Sequence, residues 1–548
     1  MSIYQSFCRE TQNPDGSLAS FSLTYPENYN FGYDVVDKIA QDTPDKTAMV
    51  WCNAQGQERI LTFAHMRDYS NQAAAVFQQQ GIKKGDTVLV MLKRHYEYWI
   101  VALALHKLGA ILSPVTHMLT VDDIVYRIEA GDINAAVCTP NDNAPAHFLE
   151  AQKRCPQLQH IWTVQQSVSG CHNLTEQMET VAPLSARVDT KATELFLTYF
   201  TSGTTGYPKG VSHNHAYTLA HIVTAKYWQD AQDGGLHFTV AETGWAKASW
   251  GKFYGQWLVG AAVMVFDFDA FDPRQLMNVI NQYQVTSFCA PPTIYRYLVK
   301  TGTIPMPSLK HVTTAGEALN PEVFLKFREE TGLSIMEGFG QTESTPILAN
   351  LVNSKAKPGS MGLPTPLYRV DLHDPEGNPV PTGEVGEIVV MPDQNGKPPV
   401  GIFSQYRNND ALYRHVWRGG VYHTGDTAWK DEDGYYWFNG RADDIIKTGG
   451  YRVGPFEIEN VLMEHPAVLE CSVVGIPDKL RGQAIKAYVL LSPGYTESLE
   501  LKKELKSFCN DRTSDYKWIR FLDIVEELPK TISGKIKKRD LRDWEDIG

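Results

Sequence analysis

The sequence predicts an α/β protein. A large N-terminal domain holds two α/β subdomains with largely parallel sheets and a small β subdomain, and a small α+β domain follows it. Three observations carry this. From about residue 34, helical periodicity (YDVVDKIAQ; FAHMRDYSNQAAAVFQQQG) alternates with short apolar runs (TAMVW; DTVLVML; AAVCT), the pattern of buried parallel strands joined by crossover helices. The same alternation restarts after a glycine- and threonine-rich loop at 201–210. Near residue 366 the text changes to short strands broken by Pro, Gly, Asn and Asp clusters, which read as turns.

Taken in order, the second round has a helix from about Ala216, the run AAVMVF, the helix PRQLMNVINQYQ, the run SFCAPP and then KHVTTAG. RVDLHDPEGNPV, GEVGEIVVM and GYYWFNGRADDIIKTGG follow as the strands of a β subdomain over about 366–442. Past Arg441, GPFEIENVLMEHP reads as a helix, VLECSVVGIPD as a strand and ELKSFCNDR as a helix, which sets domains at 1–442 and 443–548. At 548 residues the chain exceeds what one ordinary core supports.

Hydrophobic residues at 43% and charged residues at 21% are those of a globular protein. A net charge of −12 argues against a general nucleic-acid or anionic-membrane binder, which needs basic surface. The negative charge lies mostly before Arg441, and the part beyond it is nearly neutral. Eight cysteines at scattered positions form no CxxC pair and no zinc spacing, so reduced thiols are expected. The start, MSIYQSFCRE, has no basic region followed by an apolar run, and no apolar run reaches the ~20 residues of a membrane span. A cytoplasmic protein is expected.

The stretch TSGTTGYPKG, Thr201 to Gly210, suits neither helix nor strand. Glycine allows the backbone to approach a ligand, and Ser, Thr and Lys offer donors, so the loop reads either as an anion nest or as an ordinary surface loop. It lacks the GxxxxGK[ST] spacing of a Walker loop, and GFGQTE at Gly338 lacks the third glycine of a dinucleotide fingerprint. The string resembles the phosphate-binding loop of the adenylate-forming superfamily, which includes acyl-CoA synthetases, luciferases and peptide-synthetase adenylation domains. The resemblance implies that Thr201, Ser202, Gly203, Thr204, Thr205 and Lys209 hold the β- and γ-phosphates of ATP.

Further stations of that family follow in order. TAGEALNP resembles the adenine-stacking segment, with Gly316, Glu317 and Ala318 at the matching positions. EGFGQTES, from Glu337 through Gly338, Phe339, Gly340 and Gln341, resembles the strand and turn at the nucleotide. There Thr342 would contact the α-phosphate and Glu343 would hold Mg²⁺, for which a single carboxylate suffices. In YHTGDTAWKDEDGYYWFNGRADDIIKTGGYR, the resemblance gives Asp426 the ribose hydroxyls, Arg441 a supporting place on ribose or phosphate, and Asp443 the hinge. Gly449, Gly450 and Arg452 would line the pantetheine tunnel, although TGG stands where relatives more often have SSG. In LPKTISGKIKKRDLR it singles out Lys535 as the catalytic lysine, a compact charge on a flexible stem.

The implied activity has two steps. A carboxylic acid and ATP give an acyl-adenylate and pyrophosphate, and the thiol of CoA then displaces AMP, with the small domain rotating between the steps. ETGWAKASWGKFYGQWLVG resembles the medium-chain acyl-CoA synthetase branch. Acetate-specific relatives carry a tryptophan where this chain has Gly340, so a medium-chain, branched or aryl acid is expected, with Trp245 and Gly340 on the pocket wall. The implied partners are the acid, ATP and CoA, without nucleic acid or a membrane span, and a homodimer is the assembly allowed for. A standalone enzyme loading a carrier protein is the alternative within the class. A non-catalytic sensor is the alternative outside it, and the presence of Lys535, Glu343 and Asp426 argues against that.

Overall fold

The computed structural model describes residues 2–201, 207–531 and 535–544. Its architecture is α/β. The parallel strands are apolar on both faces because helices cover both, as the continuous burial of Thr87–Met91 illustrates.

The first sheet has eight strands. Its centre is parallel: Ile111–Pro114, Thr87–Met91, Ile133–Cys138 and His160–Thr163 lie in that order. At one side the antiparallel hairpin Leu195–Thr201 and Lys209–Asn214 is added, followed by the short edge strand Gln405–Tyr406. The hairpin register pairs Thr201 with Lys209. The glycine- and threonine-rich loop therefore connects two strands of this sheet.

The second sheet is a path of thirteen strands. Its parallel part runs from Thr47–Asn53 through Ala262–Asp267, Leu236–Thr239, Ser287–Cys289 and His311–Thr314 to Ile335–Phe339. The run TAMVW thus belongs to the second sheet although it precedes every strand of the first, a placement that local periodicity does not reveal. Beyond Ile335–Phe339 the path turns antiparallel. It continues through Ser360–Pro364 into Tyr436–Arg441, Tyr422–Lys430, Val385–Val390 and Val370–His373.

One core joins the two sheets. Val88 and Leu112 of the first and Met49 and Val263 of the second pack with the helices Phe63–Gln79 and Glu97–Leu108. The latter is buried on every face, consistent with its unbroken run of large apolar side chains, and it ends where Gly109 adopts φ 68°. A third sheet of five strands lies after residue 445. The helices Pro455–Met463 and Leu499–Asn510 pack on it around Ile458, Leu462, Val473, Ile485 and Leu505. All eight cysteines are free and seven are buried. Among the described residues no helix is long and apolar enough to cross a membrane.

Candidate active site

Strand pairing assembles the site. Parallel pairing of His311–Thr314 with Ile335–Phe339 sets Thr314 beside Glu337, which brings TAGEALNP against EGFGQTES at the C-terminal ends of both strands. Open α/β sheets bind ligands at that edge. Antiparallel pairing sets Asp426 opposite Arg441. The hairpin around the glycine-rich loop presents Lys209, and the loop's Ser202, Gly203, Thr204 and Thr205 lie outside the described residues.

Two carboxylates are held by separate sets of groups. Lys209 Nζ donates to Glu343 Oε1 at 2.5 Å and to the Tyr406 hydroxyl at 3.1 Å, and Tyr406 donates to the same Oε1 at 2.8 Å. Burial pushes the Glu343 carboxyl up, but the Lys209 ammonium and these hydrogen bonds outweigh it, and the carboxyl lies below its ordinary range. The neighbouring Thr342 carbonyl lies 2.9 Å from His213 Nε2.

Asp426 accepts from Gln341 Nε2 on one oxygen and from Arg441 at 3.3 Å on the other. Tyr422 donates to Gln341 Oε1 at 2.7 Å and thereby orients the amide. Burial raises the Asp426 carboxyl above its ordinary value, with Arg441, Gln341 and Lys535 acting against it. Arg441 also reaches Asp443 at 3.4 Å, so one guanidinium links the carboxylate opposite it to the exposed residue read as the hinge.

Lys535 is tied to Thr531, whose N–H donates to the Lys535 carbonyl at 2.7 Å and whose hydroxyl accepts from the Lys535 N–H at 3.1 Å. Its charge acts on both Asp426 and Lys247. Gly449 and Gly450, at φ 56° and 85°, form the exposed turn of the hairpin Ile446–Thr448 and Tyr451–Val453, with Arg452 exposed on its second strand. No hydrogen bond or ion pair among the described residues joins these three to Glu343 or Asp426.

Gly316 adopts φ 104°, a conformation that favours glycine, and Glu317 beside it pairs with Arg296 at 3.5 Å. Glu337 is fully buried. Its Oε1 accepts from Leu319 N–H at 3.2 Å, its Oε2 has no partner, and burial pushes its carboxyl up to about 8. The sign follows from proton binding: between about 4.5 and about 8 the folded chain holds a proton that the unfolded chain has lost, so this group lowers stability as pH rises. Glu337→Gln is therefore expected to raise the thermal midpoint of the ligand-free protein near pH 9 and to change it much less near pH 5. Scanning calorimetry at both pH values checks this, and an equal effect at both would contradict it.

Gly338 and Gly340 each lie under an indole. A Cβ on Gly338 would stand 2.8 Å from the Trp228 ring, and one on Gly340 would stand 2.6 Å from Trp250 Cη2 and 2.8 Å from the Thr345 carbonyl. The two tryptophans pack edge to face at 6.2 Å. Trp245 precedes the helix Ala246–Gly251 that carries Trp250.

Sequence reading missed Tyr406, Tyr422, Lys247 and Trp250. Tyr406 lies in SQYRNN, which carries no motif. Lys247 and Trp250 lie in a segment that was read for its tryptophan alone.

The arrangement offers one buried carboxylate for a cation, a second for paired hydroxyls, and a lysine approaching from a separate part of the chain. No group of three or more metal-ligating side chains occurs among the described residues. That composition suits a magnesium ion, which takes one or two carboxylates and completes its shell with phosphate oxygens and water.

The family model described as AMP-binding enzyme matches residues 36–397, and that of the AMP-binding enzyme C-terminal domain matches 457–535. Acyl-coenzyme A synthetase ACSM3, mitochondrial, of Homo sapiens is 38% identical, over 98% of this chain and 93% of its own length. The 4-hydroxybutyrate–CoA ligase 1 of Metallosphaera sedula is 37% identical, over 94% and 91%. Among solved structures, the anthranilate CoA ligase AuaEII in complex with anthranoyl-AMP superposes with a TM-score of 0.86 at 27% identity, covering 95% of this chain and 98% of that one.

Proposed function

The chain belongs to the family of AMP-binding enzymes and is an ATP-dependent acyl-CoA synthetase, and from that premise we propose how its residues divide the two half-reactions. In the first, an oxygen of the acid attacks the α-phosphorus of ATP and pyrophosphate leaves. In the second, the CoA thiol attacks the acyl carbon and AMP leaves.

Asp426, fixed by Gln341 and Arg441, accepts hydrogen bonds from the ribose hydroxyls. Glu343, fixed by Lys209 and Tyr406, holds Mg²⁺ together with phosphate oxygens. When bound, that ion neutralises phosphate charge. Thr342 lies at the α-phosphate and the loop from Thr201 at the outer phosphates. Gly316, Glu317, Ala318 and the segment Glu337 to Gly340 border the adenine. Lys535 offsets the charge that develops on the carboxylate, the α-phosphate and the leaving group during adenylation. It then withdraws as residues from Asp443 onward turn, bringing Gly449, Gly450 and Arg452 to the pantetheine. The observation that carries this reading is the geometry of Asp426, held by Gln341 and Arg441 with the Lys535 charge also acting on it, which supports a C-terminal lysine working near the carboxylate read as the ribose acceptor.

The acid is larger than acetate: medium-chain, branched or aryl. Relatives named for 4-hydroxybutyrate and anthranilate support that range. Trp250 forms the wall against Gly340, with Trp245 at the helix start. Gly340→Trp is expected to displace the Trp250 indole and to destabilise by about 1–3 kcal/mol or more. Adding Trp250→Gly returns the volume, so the double variant should melt above the single one. A single variant melting with the wild type would show that the wall is not close-packed.

ATP–pyrophosphate exchange across straight-chain acids from acetate to decanoate, together with benzoate, tests the function. Thioester formation with CoA follows for the acids that exchange. Exchange with none of them would refute the enzyme, and exchange without thioester would point to a carrier-protein acceptor.

A further inference from the structure

Beyond these roles, we propose that Lys247 is a substrate-binding residue whose ammonium takes the carboxylate of the acid, and after adenylation the acyl carbonyl oxygen. The inference rests on the reading above that this cleft activates a carboxylic acid.

Position comes first. Lys247 is the second residue of the helix Ala246–Gly251, directly after Trp245, and Trp250 lies three residues on along the same face. Trp250 packs against Cys289, Ala315 and Met336. These belong to, or directly follow, three adjacent parallel strands, and Cys289 and Ala315 lie at the C-terminal edge. The Lys247 side chain points to that edge: its Nζ donates to the Ala315 carbonyl and stands 3.8 Å from where a Cβ on Gly316 would be. It therefore lies between the pocket segment and the segment that borders the adenine.

Charge comes second. The side chain is partly buried, yet among the described residues Lys247 has no ion pair, and a single backbone carbonyl is its hydrogen-bond acceptor. An ammonium carries three donors, so two remain without an acceptor among the described residues. The nearby carboxylate Glu317 is engaged by Arg296. Burial holds the Lys247 ammonium below its ordinary range. Cys289 and Glu317 act in the opposite sense, and the like charge of Lys535 adds to the lowering.

Two ammonium groups from different domains, those of Lys247 and Lys535, thus act on each other, and among the described residues Lys247 has no ion-pair partner. A buried cation without a counter-ion is costly. The substrate's own carboxylate is the anion that the reaction brings there. Lys535 leaves with the small domain, whereas Lys247 is built into the sheet edge and stays. It therefore suits binding and orientation of the acid through both steps. Neither short stretch around it, WAKAS or its glycines, announces this role.

The test uses the full chain with Lys247→Met and Lys247→Arg, and with butyrate, hexanoate and benzoate, whose only polar group is the carboxylate. In ATP–pyrophosphate exchange, Lys247→Met should raise the KM for the acid about 10- to 100-fold, the size of one charge-assisted hydrogen bond. The KM for ATP should stay within about twofold, and Lys247→Arg should recover part of the loss. Equilibrium binding of ATP, measured by calorimetry, confirms that each variant is folded. An unchanged KM for the acid overturns the proposal, and so does a parallel rise for acid and ATP, which would mark a packing role. A wild-type enzyme that exchanges with no acid would instead refute the function itself.

Discussion

Lys535→Ala is expected to lower acyl-adenylate formation by about 10²–10³-fold or more, the effect of removing one preorganised donor from a developing charge. Thioester formation from a supplied acyl-adenylate should stay close to wild type. The split follows from the geometry. Lys535 is exposed and tied to Thr531 through its backbone, so removing its side chain takes nothing from a core. Its charge acts on Asp426 and Lys247, near which adenylation is proposed to build negative charge, and the second step is proposed to need this lysine moved away. Single-turnover measurement of each half-reaction separates the two. Equal loss in both would contradict domain alternation with Lys535 as its moving charge.

Lys209→Met should be the more damaging change to the folded protein. Glu343 keeps 6% of its side chain exposed and Lys209 keeps 27%, and Lys209 is the one ion-pair partner of Glu343 among the described residues. Breaking a buried pair from one side leaves an uncompensated charge at a cost of about 3–5 kcal/mol. The partial exposure of the lysine moves the expected loss toward the lower end of that range. The thermal midpoint should fall in the absence of ligand, and Mg²⁺ with ATP should restore more of it than in the wild type, because the cation supplies the missing charge. Calorimetry with and without Mg²⁺-ATP decides this. A midpoint unchanged from wild type would show that Tyr406 alone suffices to hold Glu343. Lys209 is thus more than one donor of the phosphate loop: it is also the counter-charge of the metal-binding candidate.

How much of this was legible beforehand depends on whether the signal is local. The alternation of helical and strand periods is local, and so is the change to turn-rich text near residue 366. Both predicted an α/β chain with further strands and a small C-terminal part. The order of the loop at Thr201, the segment at Glu337, Asp426 and Lys535 is also local, and it was enough to name the superfamily and the reaction. Charge and glycine spacing within a stretch of about ten residues suffices for such motifs, because they describe how a backbone meets a ligand.

Pairing between distant segments is another matter. TAMVW could have joined either sheet, since its apolar pattern fits both. The second sheet holds it because Met49 and Val263 share the core between the sheets. The partner of Lys209 lies 134 residues away, and Tyr406 reaches the same oxygen from the edge strand of the first sheet. Gly340 read as empty space in one dimension, yet an indole from the helix Ala246–Gly251 lies against it. Lys247 is one lysine among many in the sequence, and only its surroundings show that it has no ion-pair partner among the described residues. The chain alone therefore determined what kinds of groups the reaction would use and roughly where along its length they stand. Which groups face each other was decided by burial and strand register, energies that belong to surfaces brought together from far apart in sequence and that leave no mark in any single stretch of it.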